Sequence, residues 1–555
     1  MSHLIKTWWK ETFIYQIYPR SFKDSNGDGI GDLRGITQSL DYLKNLGVET
    51  LWLSPIYKSP NDDNGYDVSD YCDIMEDFGT MADFEEMLAE MKKKDLKLIL
   101  DLVFNHSSDE HPWFVEARSS RNNRYRDYYI WSEGKDGNPP NNWVSFFEGS
   151  AWEYNPATED YYLHLFTKKQ PDLNWENPKV RQELYQVMRF WLDKGVNGFR
   201  FDVIPLISKK AGLPDIEYGD LPFLNMIKMY ANGPKVQEFV QEMHKEVLQH
   251  YDCYTVGEGI GVFPEDAHLY MNPENPGLDT VYYFDHMFID RDPLTFLPTQ
   301  FHLPTLKKIL NDWDKTLDGI GWNTFYLGNH DQPRLVSRFG NDKEYREVAA
   351  KLFATLLFTL KAIPFVYQGD ELGMSNTPFY SPDEFNDVQA RNQYAIFKSK
   401  GSTDEDYLRL QNQISRDHAR TPFLWNTQAN AGFTQGKPWL KVNPNYTEIN
   451  AQKAQADPNS VWHYYQKMIQ FRKENDVLMY GDFKDIDSQH PQLFVYERSL
   501  EDQKMLIILN ISAEIHSFTL KPENNYTLLI SNYLEVGESN AQTLRPYEAR
   551  VYRWV

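Results

Sequence analysis

Along most of the chain, short apolar runs rich in β-branched and aromatic residues alternate with longer stretches whose apolar residues recur every three or four positions. The runs occupy residues 13–18, 49–53, 97–104, 198–203, 254–258, 281–284, 322–327 and 364–367; the amphipathic stretches include 33–46, 81–94, 179–194, 235–249, 305–317 and 343–361. Continuous apolar runs of this length suit strands covered on both faces, and the three-and-four spacing suits the helices that cover them. Eight strands in repeated strand–helix order predict an α/β fold, a parallel sheet closed into a (β/α)8 TIM barrel.

The alternation breaks in three places. Residues 105–174 are rich in Asn, Trp, Tyr, Pro and Gly without a helical period, which predicts a small domain inserted after the third strand. Residues 371–440 read as a second, irregular insertion. From Val477 onward, short strands at 493–497, 504–511 and 550–554 are separated by Asn, Gly, Ser and Pro turns, the pattern of an antiparallel β-sandwich. The expected organisation is a barrel at 1–104 and 175–476, an inserted domain at 105–174 and a C-terminal β domain at 477–555.

Charge narrows the range of partners. The 57 Lys and Arg are outnumbered by 80 Asp and Glu, a net charge of −23. Such a surface repels phosphate backbones and anionic lipid, so neither nucleic acid nor membrane is an expected partner. Residues 1–10 lack the basic-then-apolar run of a secretory leader, and the longest apolar run, 352–360, is too short to span a bilayer. The expectation is a cytoplasmic protein, a monomer or weak homodimer. Its two cysteines, Cys72 and Cys253, lie in or beside strand-like segments, so buried thiols are expected in place of a disulfide.

In such a barrel the chemistry sits at the C-terminal ends of the strands. Four ends carry charge: Asp101-Leu-Val-Phe-Asn-His106, Gly198-Phe-Arg-Phe-Asp-Val203, Thr255-Val-Gly-Glu258 and Gly328-Asn-His-Asp331. A single acid after a strand is commonly a helix cap or a surface charge, but four ends converge on one mouth. Two carboxylates across a scissile bond suit glycoside hydrolysis, one attacking the anomeric carbon and the other protonating the leaving oxygen. Arg200, two residues before Asp202 and so on the same strand face, is expected to hold Asp202 ionised. Glu258, in an apolar run, suits a raised pKa and a general-acid role. Asp331 becomes a third carboxylate for sugar hydroxyls, with His106 and His330 as donors to the same ring.

These four segments resemble the signature regions of the α-amylase family of glycoside hydrolases, in the family's order. Asp24-Ser-Asn-Gly-Asp-Gly-Ile-Gly-Asp32, Gly65-Tyr-Asp-Val68, Gln170-Pro-Asp-Leu-Asn174, Tyr367-Gln-Gly-Asp-Glu-Leu-Gly-Met374 and Ser415-Arg-Asp-His-Ala-Arg-Thr-Pro422 extend the match over nearly the whole chain. Gln-Pro-Asp-Leu-Asn and Ala-Arg-Thr-Pro are similar to the family's oligo-1,6-glucosidase, dextran glucosidase and sucrose isomerase branch. The resemblance implies Asp202 as nucleophile, Glu258 as acid/base and Asp331 as transition-state stabiliser. It also implies Tyr66, Asp67, His106, Arg200, His330 and Arg420 around the terminal glucose.

In that branch the residue after the nucleophile resembles a linkage marker, Val for α-1,6 bonds and Ala or Thr for α-1,4 bonds or isomerases. Here it is Val203, beside the space for the leaving sugar, where a methyl is worth about 1–3 kcal/mol. The expected activity is a retaining, exo-acting α-1,6-glucosidase acting on a disaccharide or small oligosaccharide. The alternatives are a transglucosylase or sucrose isomerase, an α-1,4-preferring α-glucosidase, and a non-catalytic transporter subunit. Isomerases of the branch carry Arg-Leu-Asp-Arg-Asp, whereas this chain has Phe288-Ile-Asp-Arg-Asp292, which weakens that reading. The intact acids and the lack of a membrane anchor argue against the transporter role. His418, Leu424-Trp-Asn426 and Asp370 depart from the family's usual Asn, Gln-Trp-Asp and Glu.

One loop suggests a metal. Asp24, Asn26, Asp28, the backbone of Ile30 and Asp32 match positions 1, 3, 5, 7 and 9 of an EF-hand loop, but position 12 is Gly35, so a complete EF-hand is excluded. Three carboxylates and an amide within nine residues favour a compact structural Ca2+ site, and the family resemblance implies the same. No organic cofactor is expected.

Overall fold

The computed structural model describes residues 6–292, 297–521, 524–534 and 543–554. The expected barrel is present. Its strands are β1 (Ile14–Ile17), β2 (Thr50–Leu53), β3 (Lys97–Leu102), β4 (Gly198–Phe201), β5 (Tyr254–Gly259), β6 (Thr280–Tyr283), β7 (Thr324–Phe325) and β8 (Ile363–Tyr367). They form one parallel sheet in the order β6-β5-β4-β3-β2-β1-β8-β7. Across the remaining gap, Thr324 Oγ1 on β7 donates to the Val281 carbonyl of β6 at 2.8 Å, which ties the two end strands together.

Every residue of β1, β2, β4, β5 and β8 is buried, as their unbroken apolar character requires. Gly198 begins β4 at φ 149°, and a Cβ there would lie 1.9 Å from the Tyr254 carbonyl oxygen. Only glycine allows β4 and β5 to run this close. Inside the barrel, Tyr282 stacks on Tyr326 at 3.6 Å and meets Trp52 and Phe365 edge-on, an aromatic plug beneath the strand ends. The covering helices follow the predicted stretches. The 33–46 stretch is two helices, Leu33–Gln38 and Leu40–Leu46, because Ser39 Oγ donates back to the Gly35 carbonyl at 2.8 Å and the chain bends there.

The segment after β3 forms a three-stranded antiparallel sheet of Trp131–Ser132, Trp152–Asn155 and Asp160–Leu163. Trp143, Trp152 and Leu163 pack with Val203, Leu206, Met226 and Tyr230 from the stretch after β4, so the insertion leans over the barrel mouth. Residues 371–440 depart from the irregular expectation. They hold a helical hairpin, Val388–Ser399 and Asp404–Ile414, whose second helix starts with a Thr403/Asp406 capping box. Phe379, Phe385, Ala390, Tyr407 and Leu440 give it a small core of its own. The C-terminal domain is a five-stranded antiparallel sheet of β9 (Asp482–Asp485), β10 (Leu493–Leu500), β11 (Gln503–Asn510), β12 (Tyr526–Ser531) and β13 (Ala549–Trp554), ordered β9-β10-β11-β13-β12. A ladder of His516–Ser517 with Thr543–Leu544 lies beside it. Both cysteines carry free thiols, and both are only partly buried, less than expected. No helix among the described residues is long and apolar enough to cross a membrane.

Candidate active site

The parallel register sets Arg200 of β4 directly beside Asp101 of β3 and Val256 of β5, so the charged ends of three strands share one level. The Arg200 side chain is fully buried. Its Nη1 lies 2.7 Å from Asp101 Oδ1 and 2.7 Å from Asp202 Oδ1, and its Nη2 binds Glu258 Oε1. One guanidinium therefore serves three buried acids. Asp101 is held from behind by Tyr66 Oη at 2.9 Å and Trp52 Nε1 at 3.3 Å. Because one cation cannot balance three anions away from water, such a cluster favours retaining a proton.

This alters the expectation for Asp202. Burial raises its pKa, Arg200 lowers it, and Glu258 and Asp101 raise it again; the net direction is well above the ordinary carboxylate range. Burial likewise pushes Asp101 up to about 6 against the pull of Arg200. The surroundings of Glu258 are polar where an apolar setting was expected: besides Arg200, Oε2 accepts from the backbone N–H of Val203 at 3.0 Å. Val203 itself sits at φ 35° and ψ 41°, the left-handed region.

At the end of β7, Asp331 is flanked by His330 Nε2 at 3.2 Å, Arg416 Nη1 at 3.2 Å and Arg420 Nη2 at 2.7 Å. Burial opposes ionisation, but His330 and the two guanidiniums outweigh it and hold the Asp331 pKa below the usual range. Burial lowers His330 to about 3, so its ring is neutral at ordinary pH and acts by orientation. The ring stacks parallel on Tyr66 at 5.2 Å and on Tyr18 at 5.8 Å.

The strand ends open into a cavity of about 490 Å3. Of the residues expected to line it, Tyr66, His106, Asp202, Val203, Glu258 and Asp331 do so. Arg200, His330 and Arg420 stand one layer behind and act on the lining acids. Asp67 is turned away. Its carboxylate accepts from Ser59 Oγ at 2.8 Å and from the backbone N–H groups of Asp62 and Asp63 at 2.8 and 3.1 Å, so it shapes the 59–67 loop.

Three charged lining residues, Asp63, Glu148 and Arg416, were not expected from the sequence. Asp63 reaches the cavity from that loop, its pKa raised to about 7 by burial against the pull of Arg416 and Arg420. Arg416 faces it at 3.5 Å, packs over the Phe147 ring at 5.0 Å, and binds Asp387 at the start of the helical hairpin through Nε at 3.1 Å. The hairpin supplies Gln389 and Gln393, and the inserted domain supplies Phe147 and Phe166.

The 24–32 loop is a compact hydrogen-bonded turn. Asp24 accepts two bonds on each oxygen, from the N–H groups of Asn26, Gly27 and Gly29 and from Thr434 Oγ1. Asp28 accepts from Ile30 N–H and Asn26 Nδ2, and Asp32 Oδ1 caps the helix Leu33–Gln38 through Gly35 N–H at 2.6 Å. Among the described residues, no three His, Cys, Asp or Glu side chains converge in a metal-binding arrangement. The donor set fits Ca2+ in part: both oxygens of Asp28, Asp32 Oδ1 and Asn26 Oδ1 each have one bond and a lone pair to spare, whereas both Asp24 oxygens are filled.

Comparison with known proteins agrees with this geometry. Residues 16–481 match the Alpha-amylase family, described as Alpha amylase, catalytic domain. The chain is 53% identical over 556 residues to an oligo-1,6-glucosidase of Parageobacillus thermoglucosidasius, covering 99% of each, and 51% identical to one of Bacillus cereus over the same span and shares. In three dimensions it resembles the trehalulose synthase of Pseudomonas mesoacidophila MX-45, with a TM-score of 0.95, 45% identity and 99% of this chain matched to 100% of that one. The isomaltulose synthase of Klebsiella sp. LX3 gives 0.96 at 44% identity over the same shares. With its barrel, its clustered acids and this coverage, the chain belongs to the α-amylase family of glycoside hydrolases.

Proposed function

We propose that the protein is a retaining, exo-acting α-glucosidase that cleaves α-1,6-glucosidic bonds at the non-reducing end of isomalto-oligosaccharides. The observation that carries this reading is Arg200 bridging Asp202 and Glu258. Two carboxyls held by one guanidinium fit the roughly 5–5.5 Å separation of retaining enzymes better than the ~6.5–9.5 Å that leaves room for an inverting water. The proton that Asp101, Asp202 and Glu258 retain belongs to the cluster as a whole; in the reactive form it rests on Glu258 and Asp202 is ionised beside Arg200, so Asp202 attacks the anomeric carbon while Glu258 gives that proton to the departing glycosidic oxygen and the C1–O bond breaks. Glu258 then takes a proton from the incoming water, whose oxygen bonds to C1 as the C1–Asp202 bond breaks, so that glucose leaves with its configuration retained and Asp202 returns as a carboxylate. Asp331, held ionised by Arg416 and Arg420, stabilises charge as the ring flattens. Exo action is supported by the wall of Tyr66, Asp63 and Arg416 across one side of the cavity. The α-1,6 preference is supported by Val203 and by the two oligo-1,6-glucosidases that match end to end.

Transglucosylation or sucrose isomerisation is the second reading, favoured by the two synthase structures. In the 288–292 segment, Asp290 is engaged by Arg338 Nη2 at 2.6 Å. Incubation with isomaltose, maltose, panose and sucrose side by side separates the readings. Glucose release with the highest kcat/KM on isomaltose supports the first, whereas trehalulose or isomaltulose from sucrose supports the second. A strong preference for maltose would replace both with an α-1,4-glucosidase.

The reading also includes a structural Ca2+ in the 24–32 loop, remote from the reaction, and no organic cofactor. It further includes a cytoplasmic setting and a monomer or weak homodimer, and no nucleic-acid or membrane partner, this last supported by the net charge of −23.

A further inference from the structure

Behind the end of β3 lies a buried charge that no step above uses. Lys209, in the stretch after β4, has a side chain only 4% exposed, and its Nζ lies 2.6 Å from Asp172 Oδ2 and 2.9 Å from Asn105 Oδ1. An ammonium group carries only donors, so it pins the Asn105 amide with the oxygen toward Lys209 and the nitrogen away. That nitrogen donates to Asp172 Oδ2 at 3.1 Å and stands 3.2 Å from His106 Nδ1. A donor facing Nδ1 requires a lone pair there, which leaves the single ring proton on Nε2, where the Tyr66 carbonyl accepts it at 3.0 Å; the Gln170 amide nitrogen, 3.2 Å from the same Nε2, spends its two hydrogens on Asp63 Oδ2 and the Tyr66 carbonyl, each at 3.2 Å. The opposite tautomer would set two protons face to face at Nδ1 and two lone pairs face to face at Nε2. His106 is also kept neutral, because burial pulls its pKa down to about 4.

We infer that Lys209 is a positioning residue that acts through the Asn105 amide to fix His106 as its Nε2–H tautomer, so that the cavity-lining ring can only donate from that edge. The same ammonium ties the barrel to the inserted domain, since Asp172 pairs with His106 as an isolated β-bridge and accepts from the Leu165 N–H at 2.9 Å. The tautomer belongs to the free enzyme. It can therefore be read independently of the glucosidase reading, on which only the activity arm rests.

The test is nitrogen NMR of the intact enzyme labelled with 15N-histidine, with the His106 signals assigned by their loss in His106→Gln. The expected wild-type ring has a protonated Nε2 and a bare Nδ1. Asn105→Asp keeps an acceptor for Lys209 but turns a carboxylate oxygen toward His106, so the proton should move to Nδ1. Lys209→Met should mix the two tautomers and lower kcat/KM on isomaltose by roughly tenfold, the size of one misplaced hydrogen bond; Lys209→Arg should restore both. The inference is overturned if either Lys209→Met or Asn105→Asp leaves His106 wholly in the Nε2–H form. Should Lys209→Met fail to fold, Asn105→Asp alone decides.

Discussion

The backbone N–H of Val203 donates to Glu258 Oε2 at 3.0 Å from a conformation, φ 35° and ψ 41°, that β-branched residues rarely adopt. Such a residue costs about 1–3 kcal/mol and persists only where its surroundings hold it. The turn after Asp202 thus orients Glu258 through the main chain and presents the Val203 side chain to the cavity.

The side-chain role predicts a change in linkage preference. In Val203→Ala the backbone donor remains, but the branched wall beside the leaving sugar is gone. The ratio of kcat/KM on isomaltose to that on maltose should fall by roughly 10- to 200-fold, the range for small apolar groups in a pocket. Parallel kinetics on the two sugars measure it, and an unchanged ratio would remove Val203 from specificity.

Removing the proton donor should separate the two halves of turnover. Glu258→Gln should lower isomaltose hydrolysis by about 10²- to 10⁴-fold. A nitrophenyl α-glucoside needs no protonation of its leaving group, so it should still give a rapid burst of nitrophenol followed by slow turnover. Equal losses on both substrates would assign Glu258 another role.

Acid sensitivity follows from histidines buried in the neutral form. His286 is 1% exposed, its Nε2 bonds the Tyr326 carbonyl at 2.7 Å, and burial lowers its pKa to about 3. The unfolded chain binds this proton near pH 6.5 and the folded chain does not. The stability contribution is therefore complete above pH 6.5 and falls by about 1.4 kcal/mol per pH unit from there to about pH 3. His286→Gln should flatten the pH dependence of the urea midpoint between pH 6.5 and 4.5 relative to wild type. Equal slopes would mean that the ring is protonated in the folded protein.

The Ca2+ proposed for the 24–32 loop makes a separable prediction. A chelator should lower the melting temperature and release Ca2+, while Asp28→Asn should bind the ion more weakly with little change in kcat, because the loop lies outside the cavity. Unchanged metal content and melting temperature under chelation would leave the loop as the hydrogen-bonded turn described above.

The barrel and the convergence of Asp202, Glu258 and Asp331 on one cavity were legible because each acid follows an apolar run, and in a parallel barrel the run itself fixes which end faces the mouth. The pocket wall was less legible. Asp63 and Asp67 share one loop, and only the hydrogen bonds from Ser59, Asp62 and Asp63 show that Asp67 turns back into the loop while Asp63 reaches the cavity. Arg416 and Arg420 stand four residues apart across the short helix Asp417–Arg420, and both bind Asp331; the fold alone decides that Arg416 lines the cavity. The hairpin 388–414 was hidden because few of its residues are buried, so no wide apolar stripe announces it. The sharing of Arg200 among three acids arises from register between strands about a hundred residues apart in sequence, which local pattern does not encode.

The role of Asp202 as nucleophile is tested most directly by trapping the glycosyl-enzyme with a slow fluoro-glucosyl substrate and locating the adduct by mass spectrometry after digestion. A single hexosyl adduct is expected on the peptide carrying Asp202, absent in Asp202→Asn, which should also lose turnover of every substrate. An adduct on another residue, or near-normal hydrolysis by Asp202→Asn, would contradict that role.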